Sequence, residues 1–193
     1  MNSRVSIDKL FADIIEQTSK HCCELPPVHQ WHPRKSGDID LRIDREGRWL
    51  HESVEIKRSS IVKLFSSLLK YEEGEFFLLT PTEKWQISVH VAPFFIVDAE
   101  RIVRQAKQVI RVTTKTGEQV LLGRDNRLTL SSKPPQEPLL PLVHIRDNLN
   151  ALVSRAVYYQ LVDWARQEST TSGNSQLVLD SQDCQFVLGE YPN

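Results

Sequence analysis

Two stretches of this sequence share the pattern of a β-hairpin: "FFLLTPTEKWQISV" at residues 76–89 and "QLVLDSQDCQFVLG" at residues 176–189. Each has two short apolar runs around a polar centre, which is typical of two strands joined by a turn. The second stretch begins 176 − 76 = 100 positions after the first. A chain that carries the same hairpin twice is expected to fold as two comparable units.

The sequence before the first hairpin predicts another hairpin and a helix. Apolar and charged residues alternate from Ile39 to Asp44, and Gly47 supplies a turn before Trp49. From residue 61 to 69 the apolar residues recur at helical spacing, and Gly74 is the expected stop signal for this helix. The predicted order in the first unit is therefore hairpin, helix, hairpin.

The second unit shows the same order. "VIRVTTKTGEQVLLG" predicts a hairpin, "NRLTLSS" a further strand, and "HIRDNLNALVSRAVYYQLVDWARQ" a strand end that runs into a long helix. Asp147 or Asn148 is the expected N-cap of that helix. Aligning Ile56 with Ile145 gives an offset of 145 − 56 = 89, so the second helix and its loop carry 100 − 89 = 11 extra residues.

These patterns predict an α+β fold of two related small domains, each built from antiparallel β-hairpins and a helix. The expected divisions are an N-terminal helix at 1–24, a first repeat domain at 25–98 and a second at 99–193. A length of 193 residues allows two small cores. The alternative is a chance alternation of the same elements within one α+β domain.

Composition narrows the class of function. Twenty-four basic and 25 acidic residues are scattered along the chain and give a net charge of −1, so nucleic acid is not an expected partner. The sequence has neither the apolar core of a signal peptide nor a run long enough for a membrane helix, which favours a cytoplasmic location. Three cysteines without framework spacing favour reduced thiols.

The sequence contains no strong catalytic or cofactor motif, so enzyme activity is uncertain and no cofactor is expected. A possible zinc-binding segment, "HCCELPPVHQWH", lacks the spaced ligand pairs of structural zinc sites, and ordinary surface residues are the favoured interpretation. Cys22 or Cys23 is a possible redox-sensitive thiol, and Cys184 is expected to be a small buried residue of a strand.

The most suggestive charged residues are Lys57 and Arg58 in the first unit and Arg146 in the second. Each is expected where a strand leads into a helix, and a helix N-terminus offers unpaired N–H groups to an anion. If the two units face one another, these three cations could converge on a phosphate; solvated charge at a strand end is the favoured alternative.

Other candidate contacts are Glu83 and Lys84, expected at the turn of the first closing hairpin, and Arg155 and Tyr159 on the second helix. A charged turn is also what ordinary solvent exposure produces. The helix residues could equally border the core.

Several segments taken together resemble one family of bacterial domains of unknown function, number twelve eighty-five in its series. The segments are "WHPRKSGDIDLRIDREGRWLHES", "IVKLFSSLL", "LLTPTEKWQISV", "APFF" and "IRDNLNALVSRAVYYQLV", within residues 26–189. The matching positions include five of the candidate contacts: Arg58, Glu83, Arg146, Arg155 and Tyr159. The sequence departs from the family's pattern at Ser53, Glu55 and Val91, where glycine, proline and aspartate are common.

The resemblance implies a duplicated fold whose second domain is distantly similar to the pleckstrin-homology fold. It also implies a site at the domain interface for a nucleotide-like ligand, and a role in bacterial signalling. The leading hypothesis is thus a non-catalytic protein that binds a nucleotide-like or phosphorylated small molecule. A protein-interaction module without such a ligand, or an enzyme using Asp38, Asp40 and Glu83, are the alternatives.

Overall fold

The computed structural model describes residues 26–33, 35–131, 139–170 and 173–192. The chain divides into two compact units. The first extends to Asp44 and continues from Arg48 to His90, and the second comprises Arg45–Gly47 and the chain from Val91 onwards. The expected N-terminal helix and the cysteines at 22 and 23 lie outside the described residues.

The described residues of the first unit form one six-stranded sheet and one α-helix. A short 3₁₀ helix at Val28–Gln30 precedes them. The elements in chain order are β1 (Lys35–Ile43), β2 (Trp49–His51), β3 (Val54–Glu55), α1 (Ser59–Ser67), β4 (Leu69–Glu72), β5 (Glu75–Leu79) and β6 (Glu83–Val89). The strand order is β3-β2-β1-β6-β5-β4. Only the central pair, β1 with β6, is parallel, because the other neighbours are joined by hairpin turns.

The predicted alternation in β1 is confirmed. Leu41 and Ile43 are buried, whereas Asp40 and Arg42 on the opposite face are exposed. Trp49, which returns after the turn at Gly47 (φ 67°), is fully buried and packs against Phe65 of α1 at 5.8 Å between ring centroids.

The predicted end of α1 is wrong. The helix ends at Ser67, and Leu69 already begins a strand that pairs with β5. Gly74, at φ 91°, supports the turn between β4 and β5 instead of stopping a helix. Both Leu68 and Leu69 are buried, so their hydrophobicity fits a helix end and a strand start equally well.

In the second unit, the part of the chain that the structure describes forms two sheets and one helix. The elements are β7 (Phe94–Arg104), β8 (Lys107–Thr114), β9 (Gln119–Leu121), β10 (Leu128–Ser131), β11 (Leu140–Arg146), β12 (Leu149–Val153), α2 (Arg155–Trp164), β13 (Arg166–Ser169), β14 (Ser175–Ser181) and β15 (Cys184–Tyr191). The larger sheet has the order β10-β11-β12-β7-β8-β9, and the smaller has β13-β14-β15. Side chains of the larger sheet, α2 and the smaller sheet form the core, including Ile96, Ile110, Val112, Leu161 and Val178.

The predicted start of the second helix is wrong. Asp147, at φ 45°, lies in the turn between β11 and β12, and the following apolar residues form β12, which pairs in parallel with β7. The helix starts at Arg155, where the Ser154 hydroxyl accepts the N–H of Val157 at 3.3 Å. A short apolar run buried on both faces has no period that separates a strand from a helix.

The two hairpins at 76–89 and 176–189 are confirmed as β5–β6 and β14–β15. Each follows the unit's helix within a three-stranded antiparallel meander. The helix starts are offset by 155 − 59 = 96 residues and the hairpin strands by 175 − 75 = 100. The sequence-based count of 11 extra residues is therefore corrected to 100 − 96 = 4.

Mostly β structure with two helices is thus the architecture of the described residues. Neither of these helices is long and apolar enough to cross a membrane.

Candidate functional site

Two lysines meet one carboxylate on a face of the first unit's sheet. Lys84 of β6 forms an ion pair with Glu72 of β4, and the Lys70 ammonium lies 3.4 Å from the other oxygen of the same carboxylate. The Lys84 ammonium also lies 3.9 Å from the centre of the Phe77 ring in β5. We call Lys70, Glu72, Phe77 and Lys84 the lysine cluster.

Strand register brings the lysine cluster together. Lys70 is paired with Phe77, which is paired in turn with Gln86, two residues along β6 from Lys84. Side chains two residues apart on a strand lie on the same face, so the four members share one side of the pleat. Lys84 lies within β6, after the turn at Pro81 and Thr82, and not at the turn itself as expected from sequence.

In the lysine cluster two ammonium groups meet the carboxylate of Glu72, while the neighbouring carboxylate of Glu75 accepts a hydrogen bond from Gln86 at 3.0 Å. Hydrogen bonding from Lys84, followed by the weaker influence of Lys70, holds the pKa of Glu72 below its ordinary value despite some opposing desolvation. The lysine side chains are about a quarter exposed, at 26% for Lys70 and 23% for Lys84. They are held in place and remain reachable from solvent.

The second unit contains a similar group, which we call the arginine cluster: Arg146, Glu118 and Phe94. Arg146 donates from Nη1 to Glu118 Oε1 at 2.9 Å, and its guanidinium lies 5.1 Å from the centre of the buried Phe94 ring. The exposed fractions of the Arg146 and Glu118 side chains are 18% and 23%. The arrangement is that of a partly buried ion pair on an aromatic ring.

Burial dominates the electrostatics of Glu118. Desolvation raises the pKa of Glu118 above its ordinary value, although the nearby charge of Arg146 opposes this shift. Glu118 Oε2 is buried and has no hydrogen-bond partner among the described residues. The backbone is fixed, because the Glu118 N–H donates to Thr114 Oγ1 at 2.9 Å and its carbonyl accepts the Thr114 N–H at 2.8 Å.

Arg146 does not precede a helix, which corrects the hypothesis of two matching helix N-termini. It ends β11, and a turn and another strand separate it from α2. In the first unit, Arg58 does occupy the N-cap position of α1, but its side chain makes no capping hydrogen bond and is exposed, as is Lys57.

The remaining candidate contacts lie in different settings. Glu83 is half-buried at the start of β6, and its N–H donates to Thr80 Oγ1 at 2.9 Å. Arg155 is exposed at the first position of α2, and Tyr159 on the same helix is 61% exposed.

Sequence reasoning missed three charged members of the two clusters. Lys70 and Glu72 lie in "KYEEG", which was interpreted as the end of a helix, although their spacing of two is the strand period. Glu118 lies at the "KTGE" turn, where a charge is usually solvated. Its partner Arg146 is 28 residues away, so no local pattern indicates the pair.

No group of three potential metal-ligating side chains occurs within the described ranges. Of the segment considered for zinc, only His29 and His32 fall in those ranges, and both are exposed. The other three residues, at 21–23, lie outside them.

Comparison with protein families identifies the family to which this chain belongs. Residues 26–92 match the N-terminal domain of the domain of unknown function DUF1285, and residues 93–188 match the C-terminal domain of the protein of unknown function DUF1285. The chain belongs to the DUF1285 family. The family resemblance inferred from the sequence is therefore confirmed.

Two solved structures of DUF1285 family proteins resemble this chain. One, from Silicibacter pomeroyi DSS-3, is 38% identical, with a TM-score of 0.79 and coverage of 92% of this chain and 93% of the other. Another, from Shewanella baltica OS155, is 26% identical, with a TM-score of 0.52 and coverage of 65% of this chain and 91% of the other. A comparison with curated proteins found no match.

Proposed function

We propose that this DUF1285 protein binds a small anionic molecule of the nucleotide-like or phosphorylated kind, and that the lysine cluster makes the principal contacts. The observation that carries the proposal is the convergence of the Lys70 and Lys84 ammonium groups on the single carboxylate of Glu72. The carboxylate of Glu75, which is paired with Glu72, lies on the same face and accepts its hydrogen bond from Gln86, so both ammonium groups depend on Glu72.

The chemistry of the two lysines suits a phosphate group. Each ammonium has three N–H donors, so the pair offers more donors than one carboxylate can accept in good geometry. Phosphate oxygens accept such charge-assisted hydrogen bonds readily. A phosphate beside Lys70 and Lys84 would complete the hydrogen bonding of the two ammonium groups.

Preorganisation also favours binding at the lysine cluster. Contact with the Phe77 ring and the Glu72 carboxylate restrains Lys84 before any ligand arrives. A restrained side chain loses less conformational entropy on binding than a freely moving one. The aromatic ring lowers the local polarity, which strengthens the attraction between an ammonium and an anion.

The family resemblance adds a role in bacterial signalling, with ligand occupancy as the signal. We also propose that the second unit is distantly similar to the pleckstrin-homology fold. The order of two three-stranded meanders, β7–β9 and β10–β12, followed by α2, supports this similarity. An experimental structure that superposes on such domains over both meanders and the helix would support it, and superposition over one meander alone would contradict it.

Thermal unfolding with a panel of nucleotides and phosphorylated metabolites tests the binding proposal. A ligand at 100 times its Kd stabilises the native state by about 2.7 kcal/mol, which gives a clear rise in Tm. We expect one chemical class to raise Tm in a concentration-dependent way.

The matched variants are Lys84→Met and Lys63→Met. Both remove one lysine charge from the first unit, but Lys63 lies exposed on α1, outside the lysine cluster. K84M should lose most of the ligand-dependent rise in Tm, and K63M should retain it. Equal responses of the two variants, or flat curves for the wild-type protein at saturating concentrations, would contradict the proposal.

A further inference from the structure

An open cleft lies between the tips of two hairpins in the second unit. None of its lining residues belongs to the lysine cluster or the arginine cluster. Its volume is about 280 Å³. The lining residues come from the β7–β8 and β14–β15 hairpins and are Arg104, Gln105, Lys107, Val109, Gln182 and Asp183. All of them except Val109 carry a polar or charged side chain.

Hydrogen bonds from the backbone and from the Ser181 hydroxyl hold the two hairpins together beside the cleft. The Gln182 N–H donates to the Gln108 carbonyl at 2.9 Å. The Ile110 N–H donates to Ser181 Oγ at 2.9 Å, and this buried hydroxyl donates in turn to the Leu122 carbonyl at 2.7 Å. The cleft therefore rests on a fixed junction of two strands.

The charges around the cleft are predominantly positive. The Lys107 ammonium lies 2.7 and 2.9 Å from the two carboxylate oxygens of Asp183. This hydrogen bonding holds the pKa of Asp183 below its ordinary value, and the charge of Arg124 acts in the same direction. The Arg104 side chain has no hydrogen-bond or ion-pair partner within the described parts of the chain. Two cations, Arg104 and Lys107, and the carboxylate of Asp183 thus line the cleft.

We propose that this cleft binds a compact oxyanion, such as the phosphate group of a small soluble molecule, between Arg104 and Lys107. The guanidinium presents a planar set of N–H donors, the ammonium presents a point charge, and the Gln105 and Gln182 amides add neutral donors. Asp183 occupies Lys107 when no anion is bound. The site is independent of the lysine cluster, whose members all belong to the first unit.

A titration of the full-length protein with pyrophosphate, followed by ¹H–¹⁵N spectra, tests the site. We expect saturable shifts at the amides of residues 104–108 and 182–183. The double variant R104A/K107A should raise the pyrophosphate Kd obtained from these shifts about tenfold or more, because two charge-assisted contacts are lost. The Lys84→Met variant should leave them unchanged, which separates this site from the proposed function.

The charge-matched control is the double variant K115Q/R127Q, which removes two exposed cations of the second unit outside the cleft. It should bind pyrophosphate like the wild type. Asp183→Asn should tighten binding about threefold, because Lys107 is released for the anion. Absence of saturable shifts at these amides, equal weakening by both double variants, or weaker binding by D183N would overturn the proposal.

Discussion

The lysine cluster and the arginine cluster are built from the same three parts, a cation, a carboxylate and an aromatic ring, yet their carboxylates behave in opposite ways. Glu72 is 38% exposed and its pKa is lowered, chiefly by the hydrogen bond from Lys84. Glu118 is 23% exposed and its pKa is raised by burial. The difference shows that the degree of desolvation, and not the mere presence of a cation, decides the direction in which the pKa of the carboxylate is shifted.

We interpret the arginine cluster as mainly structural and the lysine cluster as the one available to a ligand. A partly buried ion pair is costly to separate, because each charge then lacks both water and its partner. The more exposed pair of Lys84 with Glu72 exchanges partners at lower cost. The predictions below test this contrast.

The largest effect is expected from Arg146→Ala, which leaves the Glu118 carboxylate partly buried without its cation. We expect a loss of about 2–3 kcal/mol in the free energy of unfolding, somewhat below the cost of breaking a fully buried pair. Urea unfolding at neutral pH measures it. Adding Glu118→Gln to this variant should recover part of the loss, because the uncompensated charge is removed. A loss below about 0.5 kcal/mol would place Arg146 with ordinary surface charges.

An intermediate effect is expected in the pH dependence of stability. The folded-state pKa of Glu118 is raised, so its contribution to stability is full below the unfolded-state pKa and is lost as pH rises through the folded-state pKa. The stability of wild type relative to Glu118→Gln should therefore fall as the pH increases from acid to neutral.

The opposite sign is expected for Glu72, whose folded-state pKa is lowered. Its contribution is present above the unfolded-state pKa and is lost as pH falls through the folded-state pKa. Denaturant unfolding at several pH values should show wild type losing stability relative to Glu72→Gln on acidification. The stability of wild type relative to each Gln variant can be plotted against pH. Slopes of the same sign for Glu72→Gln and Glu118→Gln would remove the contrast between the clusters.

The smallest effect is expected from Lys84→Met in the absence of ligand. The Lys84 pair with Glu72 is partly exposed, so its loss should change the free energy of unfolding by about 0.5 kcal/mol or less, and the methionine keeps an apolar contact with Phe77. Urea unfolding beside Lys63→Met measures this change. A loss comparable to that of Arg146→Ala would show that the lysine cluster is structural too.

Local patterns were sufficient for the hairpins but not for the elements that determine the clusters. Alternation of apolar and charged residues predicted β1, because one face of the strand is buried. Pairs of short apolar runs around a polar centre predicted both closing hairpins. Alternation failed as a guide at Leu149–Val153, where burial on both faces removes it and a helix was predicted in place of β12.

Both clusters depend on strand neighbours that the sequence pattern does not specify. Lys84 and Arg146 were recognised as notable charges, but their carboxylate partners, 12 and 28 residues away, become neighbours only through sheet register. The parallel pairing of β1 with β6 is likewise set by tertiary packing. The residue types were thus enough to predict the candidate cations, whereas the groups that surround them could be identified only from the folded structure.

The central claim is that the lysine cluster, and not the arginine cluster, contacts the ligand. The most direct test is calorimetric titration of the ligand identified in the Tm panel into wild type, Glu72→Gln and Glu118→Gln. Because Glu72 competes with the ligand for Lys70 and Lys84, E72Q should lower Kd about threefold, whereas E118Q should leave Kd unchanged. An unchanged Kd for E72Q together with an altered Kd for E118Q would contradict the account.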